Sequence, residues 1–146
     1  MNYVVPEDEW RIISSGGPGL ENEPAFNYLN GEVTLLIDGR NPWSEPFHVS
    51  VADLALRFHE SLEMGFPARA SEAFVSETDG GLDLRLERVG DLVEMRIASS
   101  PARARVSAAA YVTGVERFLR AFVGEVRARA PGALSADELS VLRAWL

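Results

Sequence analysis

The sequence of 146 residues contains no cysteine, no lysine and only two histidines. Without cysteine the chain forms no disulfide bond, no thiolate metal site and no cysteine nucleophile. Without lysine it has no Schiff-base amine and no phosphate-loop lysine, since all 14 basic residues are arginine. We attribute the absence of lysine to the composition of the source genome. Residue type alone therefore excludes many catalytic designs.

Long apolar runs are also missing. Runs such as Leu35-Leu36-Ile37 are far shorter than the roughly 20 residues that a membrane-spanning helix needs. The N-terminal segment, residues 1–9, lacks the basic start and apolar stretch of a secretory signal. We therefore expect an intracellular, soluble protein of the cytoplasm that does not bind membranes.

The chain is acidic, with 22 acidic residues and a formal net charge of -8. A field of this sign repels nucleic acid and anionic membranes and favours a basic partner. Hydrophobic residues make up 47% and charged residues 25% of the chain, the balance of an ordinary globular domain. These values predict one domain over residues 1–146, with residues 1–8 flexible.

Three serines are placed to begin helices. Ser50 precedes a helix with Asp53 at the third helical position, and Gly65 and Pro67 end that helix. The second helix runs from Ser107 to about residue 130. A short third helix in residues 131–146, with Ser135 and Glu138 forming a capping box, is expected to dock on the core.

Strand patterns fill most of the remaining chain. We predict strands over residues 9–14, 26–29, 32–38, 71–77 and 103–106, and a hairpin around Gly90-Asp91. The two-residue turn pairs Leu86 with Met95 and Leu84 with Ile97, so all four share one face. The segments predict an α+β fold: a mostly antiparallel sheet of about five or six strands, two main helices packed on one face, and a short C-terminal helix.

The same hairpin register sets Glu87 opposite Glu94 and Arg85 opposite Arg96. Like charges directly opposite are unfavourable, so we expect diagonal contacts, Arg85–Glu94 or Glu87–Arg96, to compensate. This second face of the hairpin is therefore predicted to be exposed to water.

No group of residues predicts catalysis, a metal site or a cofactor. His59 and Glu63 share one side of the first helix, but a metal needs at least one more ligand, and a solvated flank explains them. The segment Gly16-Gly17-Pro18-Gly19 lacks the lysine and spacing of a phosphate loop. Nucleic-acid binding is not expected, because the net charge has the wrong sign and the aromatic residues Tyr111, Phe118 and Phe122 are better used as core. The arginines considered for such a patch are Arg103, Arg105, Arg117, Arg120 and Arg127.

Trp43 lies in a long loop, residues 38–47, together with Glu45. Tryptophan is a frequent anchor of protein interfaces, but the same side chain can fold back as a lid on the core, and both alternatives stay open. Asp79-Gly80-Gly81 predicts a further hairpin turn, and Asp83 lies on the water-exposed face of the strand that follows it. We take four residues as candidate partner-binding residues: Trp43, Glu45, Asp79 and Asp83.

Three segments carry a resemblance: Asn30-Gly31-Glu32-Val33, the helix start at residues 49–55, and the helix from Val106-Ser107 to Val126. They resemble small bacterial proteins grouped as domains of unknown function, and the layout is similar to that of immunity proteins that neutralise toxins. The likeness spans roughly residues 26–130 and implies no catalytic residue.

These observations predict a non-enzymatic protein-binding module, and the resemblance implies an immunity-type inhibitor that occludes a basic partner. Two alternatives stay open. One is a small ligand-binding protein or enzyme with a pocket between helices and sheet, for which His59 and Glu63 are the candidate polar residues. The other is a structural subunit of a homo-oligomer, such as a homodimer, joined through the water-exposed face of the β-hairpin or through an edge strand.

Overall fold

The computed structural model describes residues 1–14, 29–37, 39–43, 45–78, 80–135 and 138–146. The predictions for Gly16–Gly19, for Asp79 and for most of the strand at 26–29 lie outside these residues. The described part is α+β, as predicted. Its strands form two antiparallel sheets, not one.

The first sheet has the order β1-β2-β3 and the second the order β4-β5-β6-β7. The first consists of β1 (Asn2–Val4), β2 (Asn30–Thr34) and β3 (Phe47–Ser50). The second consists of β4 (Glu72–Ser76), β5 (Asp83–Val89), β6 (Leu92–Ile97) and β7 (Arg103–Ser107). The described strands thus number seven, where the sequence predicted about five or six.

The predicted register of the β5–β6 hairpin is confirmed. Leu84 pairs with Ile97 and Leu86 with Met95, and these side chains are buried. The like-charge pairs also occur, and the Arg96 guanidinium contacts Glu87 diagonally at 4.0 Å. The apolar face of the second sheet therefore points into the core, and the charged face points outward.

The two main helices begin as predicted. The hydroxyl of Ser50 accepts a hydrogen bond from the Asp53 amide at 3.1 Å, at the start of α2 (Val51–Glu63). Ser107 does the same for Ala110 at 3.0 Å, at the start of α3 (Ala108–Arg129). The packing differs from the prediction, since α2 contacts β2 and β3 of the first sheet as well as β4 of the second.

The prediction of a strand over residues 9–14 was wrong, because these residues belong to α1 (Glu7–Ser14). Residues 2–4 form β1 within the segment 1–8 that was predicted to be flexible. Three acidic residues in the first turn of α1 favour a helix through its dipole. Trp10 is only 2% exposed, which anchors this helix on the core.

The C-terminal segment also differs from the prediction. Its described residues form two 3₁₀ helices, Pro131–Ser135 and Leu139–Trp145, where a capped helix was predicted. Ser135 ends the first of them, and the Glu138 side chain makes no capping hydrogen bond. Leu139 and Leu142 are buried, whereas Leu146 is 55% exposed. A spacing of three residues matches the turn of a 3₁₀ helix.

Candidate functional site

The two sheets meet where β3 lies against the β4–β5 hairpin. A side chain at Gly81 would overlap the carbonyl oxygen of His48, so only glycine permits this approach. The Glu77 carboxylate accepts hydrogen bonds from the backbone amides of Ser50, at 3.3 Å, and Gly81, at 3.0 Å. A buried carboxylate thus joins the end of β3 to the hairpin.

Asp53 braces the same junction from the first turn of α2. Its buried carboxylate accepts a hydrogen bond from the Thr78 amide at 2.7 Å and one from the Arg57 guanidinium at 3.3 Å. The partly positive helix N-terminus stabilises carboxylates placed there. The local fold of Ser50–Asp53 therefore positions the hairpin.

A cleft of about 650 Å³ opens at this junction. We call it the acidic cleft, because its ionisable lining side chains are three glutamates and one histidine. The lining residues come from the N-terminal segment, β2, β3 and the hairpin: Val4, Pro6, Glu9, Asn30, Gly31, Glu32, His48, Val49, Ser50, Glu77 and Gly81.

The charges of the acidic cleft are only partly compensated. Glu77 is 3% exposed and makes no ion pair within the described part of the chain. The Glu9 carboxylate accepts a hydrogen bond from the backbone amide of Asn30 at 3.2 Å. Glu32 lies 3.6 Å from His48, and both side chains are largely exposed. The cleft therefore presents negative charge, which attracts cationic groups.

The three candidate partner-binding residues that the structure describes, Trp43, Glu45 and Asp83, do not line the acidic cleft. Trp43 is half-buried, its ring contacts that of Phe47 edge-on at 6.2 Å, and its indole nitrogen has no hydrogen-bond partner among the described atoms. Glu45 is exposed in the same loop. Asp83 is exposed at the start of β5, where it accepts the Ser76 hydroxyl at 2.6 Å. Asp79 lies outside the described residues.

The prediction of a solvated His59 was wrong. His59 is 7% exposed, and its Nδ1 accepts a hydrogen bond from the indole N–H of Trp145 at 2.9 Å. This bond places the ring proton on Nε2, which faces a Glu63 carboxylate oxygen 3.7 Å away. Because Nδ1 is occupied, it is not free to act as a base in this arrangement. Both residues line a surface cavity of about 350 Å³.

A second cavity lies between the helices and the sheets, with a volume of about 80 Å³. Phe58, Leu84 and Met95 line it, together with Tyr111. Burial raises the pKa of Tyr111 to about 12, and its hydroxyl lies 3.3 Å from that of Ser61. The lining is otherwise apolar.

Across the residues placed by the structure, no cluster of three or more histidine, aspartate or glutamate side chains is arranged to hold a metal ion. No helix in this part of the chain is both long and apolar enough to cross a membrane. Comparison with protein-family models, curated proteins and solved structures gives no significant match.

Sequence reasoning missed Glu9, Glu32 and Glu77 as a group. They lie in three segments far apart in sequence, so no spacing connects them. The available signal was the turn itself, since Gly81 of the predicted hairpin both contacts β3 and lines the acidic cleft.

Proposed function

We propose that this protein is a non-enzymatic binding module that holds a basic segment of a protein partner in the acidic cleft. The observation that carries the proposal is the composition of the cleft. It gathers three glutamates and no arginine, in a chain that has 14 arginines. A cationic side chain entering it would meet carboxylates that have no arginine partner within the described residues.

The rim of the acidic cleft supports a peptide-like ligand. Val4 is 66% exposed and lies beside Pro6 at one edge. Arginine and lysine carry long aliphatic stems below their charge, so an apolar rim beside carboxylates suits both parts of such a side chain. The net charge of -8 would steer a basic partner towards the protein.

An immunity-type inhibitor is the narrower form of this proposal. Its mechanism is occlusion, in which the partner's basic functional surface is covered and no bond is broken. Glu45 and Asp83 are exposed acidic residues that would extend the contact beyond the cleft. The half-buried Trp43 would contribute one face of its ring.

Affinity capture with charge-matched variants tests the proposal. The cleft variant is Glu9→Gln with Glu32→Gln, and the control is Asp91→Asn with Glu116→Gln, which removes the same charge elsewhere. We expect wild type and control to retain the same basic protein and the cleft variant to lose it. Equal retention by both variants, or retention of acidic proteins only, would contradict the proposal.

The small apolar cavity supports an alternative, a ligand-binding role. Its volume of about 80 Å³ is roughly half that of a dry cavity known to admit benzene. Xenon is therefore the suitable probe. Saturable shifts of the Leu84 and Met95 methyl resonances under xenon would favour this ligand-binding role, and unchanged resonances would rule it out.

A further inference from the structure

On the outer face of the second sheet, arginine side chains line a concavity beside the turn after β6, whereas glutamates line the acidic cleft. Four arginines project there, from β5, β6 and β7: Arg85, Arg96, Arg103 and Arg105. Phe74 of β4 shares this face, is opposite Arg85, and is 62% exposed. An exposed aromatic ring among guanidinium groups is a common composition for a binding surface.

One buried carboxylate serves three of these arginines. The Glu94 oxygens lie 2.6 Å from an Nη atom of Arg96 and 3.0 Å from one of Arg105. Arg103 approaches only to 3.7 Å, beyond hydrogen-bond distance. Glu87 lies 4.0 Å from Arg96, so two carboxylates face three guanidinium groups, and the surroundings of Glu94 keep a small local excess of positive charge.

Arg85 completes the arrangement beside Phe74. Its guanidinium carbon lies 5.8 Å from the centre of the Phe74 ring, and one Nη lies 3.4 Å from Glu72. The ion pair with Glu72 is exposed on both sides, and exposed pairs of this kind contribute little and exchange readily. Arg85 therefore has donors that a ligand can use.

These groups surround a concavity of about 350 Å³, which we call the arginine cleft. Three arginines and Phe74 line it, with the turn after β6 on the other side. Its acidic lining residue, Asp83, already accepts the Ser76 hydroxyl at 2.6 Å. The remaining lining comes from the turn and the end of β6: Ile97, Ala98, Ser100, Pro101 and Ala102.

We infer that the arginine cleft binds a carboxylate-bearing segment of a protein partner, with an aromatic or aliphatic residue of that segment packed on Phe74. Guanidinium groups match carboxylates geometrically and form the stronger, charge-assisted hydrogen bonds. The inference does not depend on the acidic cleft, because different residues and the opposite charge carry it. Either site can fail without the other.

Two observations favour a protein segment over other anions. The Arg85 and Arg103 side chains are 51% and 58% exposed, so a ligand would stay partly in solvent, whereas free small molecules are usually enclosed. A nucleic acid is a polyanion, and the net charge of -8 opposes its approach. A short acidic segment experiences less of that repulsion.

Titration followed by the NMR signals of the arginine Nε–H groups tests the inference. The probe is the peptide acetyl-Asp-Glu-Phe-Asp-Glu-amide, compared with its neutral Asn/Gln analogue, with benzoate and with hexathymidylate. We expect saturable shifts at Arg85, Arg96 and Arg103 with the acidic peptide and much weaker ones with the other three. Equal binding of the neutral peptide, tighter binding of benzoate or hexathymidylate, or no saturable shift would overturn the inference.

Variants with matched charge complete the test. Arg85→Gln with Arg103→Gln leaves the two closest partners of Glu94 in place, and we expect about tenfold weaker peptide binding or more. Arg127→Gln with Arg143→Gln, exposed arginines elsewhere, should bind as wild type does. Phe74→Ala should weaken binding of the acidic peptide, while a dispersed spectrum shows that the variant is folded. Equal weakening by both arginine pairs would overturn the inference.

Discussion

At the scale of residues, the junction between the sheets depends on carboxylates that accept backbone hydrogen bonds. Glu77 accepts the amides of Ser50 and Gly81, and Asp53 accepts that of Thr78. Buried backbone donors are costly to leave without an acceptor. These carboxylates therefore determine whether the acidic cleft forms, before any partner binds.

Replacing Glu77 with alanine should destabilise the protein strongly. The buried amide of Ser50 and the partly buried amide of Gly81 would lose this carboxylate, which should lower the free energy of unfolding by about 2 kcal/mol. Urea unfolding measures the change, with Glu45→Ala, an exposed carboxylate, as the control with little effect. A Glu77→Ala protein as stable as the control would show that this carboxylate does not hold the junction.

Glu94 should make stability depend on acid pH. Hydrogen bonds from Arg96 and then Arg105 hold the pKa of its carboxyl below the usual 4.5. Because the folded pKa is lowered, this stabilisation is present above about pH 4.5 and disappears as the pH falls through the folded value. Glu94→Gln should therefore be less stable than wild type at neutral pH, and the two should converge at acid pH.

Urea midpoints of wild type and Glu94→Gln, measured between neutral pH and about pH 3, check this expectation. Glu45→Gln serves as the control, since its exposed side chain makes no ion pair among the described residues. A constant difference between wild type and Glu94→Gln across the whole pH range would contradict the assignment.

At the scale of elements, two glycines should respond to alanine in opposite directions. A side chain at Gly81 would overlap the His48 carbonyl, whereas one at Gly124, in the interior of α3, meets nothing within 4 Å. Gly81→Ala should cost about 1–3 kcal/mol through overpacking. Gly124→Ala should stabilise α3 by about 1 kcal/mol, since alanine is the better helix former.

Thermal unfolding of both glycine variants measures these effects. The acidic cleft should also change in Gly81→Ala, because the hairpin would have to move away from β3. Amide signals of Gly31 and Val49 should therefore shift in Gly81→Ala and not in Gly124→Ala. If Gly81→Ala proved neutral, the close approach of the hairpin to β3 would be wrong.

The elements that the sequence predicted best are those with two agreeing signals. The β5–β6 hairpin had alternating apolar residues and a turn that set the same register, and α2 and α3 had serine caps before apolar stripes. At both ends of the chain the predicted secondary structure depended on one kind of sequence signal and was wrong. Residues 9–14 had apolar residues that suit either structure, and residues 135–146 are too short for helix propensity to decide.

Strand pairing was a further limit. Local patterns indicate where strands lie, but not that β1 pairs with β2 across a long stretch of sequence. The split into two sheets, and with it the junction that forms the acidic cleft, followed from this long-range pairing. The lining residues Glu9, Glu32 and Glu77 are brought together only by that step. The candidate site was therefore beyond prediction, although its acidic character agrees with the expected basic partner.

At the scale of the whole molecule, charge is distributed unevenly. Five of the 22 acidic residues and none of the 14 basic ones lie outside the described residues. The described residues thus carry a formal net charge of -3. Within them, three glutamates line the acidic cleft at the junction of the sheets, and three arginines line the arginine cleft on the second sheet. Net charge alone does not describe how this surface meets a partner.

The central claim is that the acidic cleft binds basic groups, and titration of the ¹⁵N-labelled protein with a tetra-arginine peptide tests it most directly. We expect saturable shifts centred on Asn30, Gly31, His48 and Gly81, weakening with added salt. Glu9→Gln with Glu32→Gln should abolish them, while Asp91→Asn with Glu116→Gln should not. Shifts spread evenly over the surface, or lost equally in both variants, would contradict the claim.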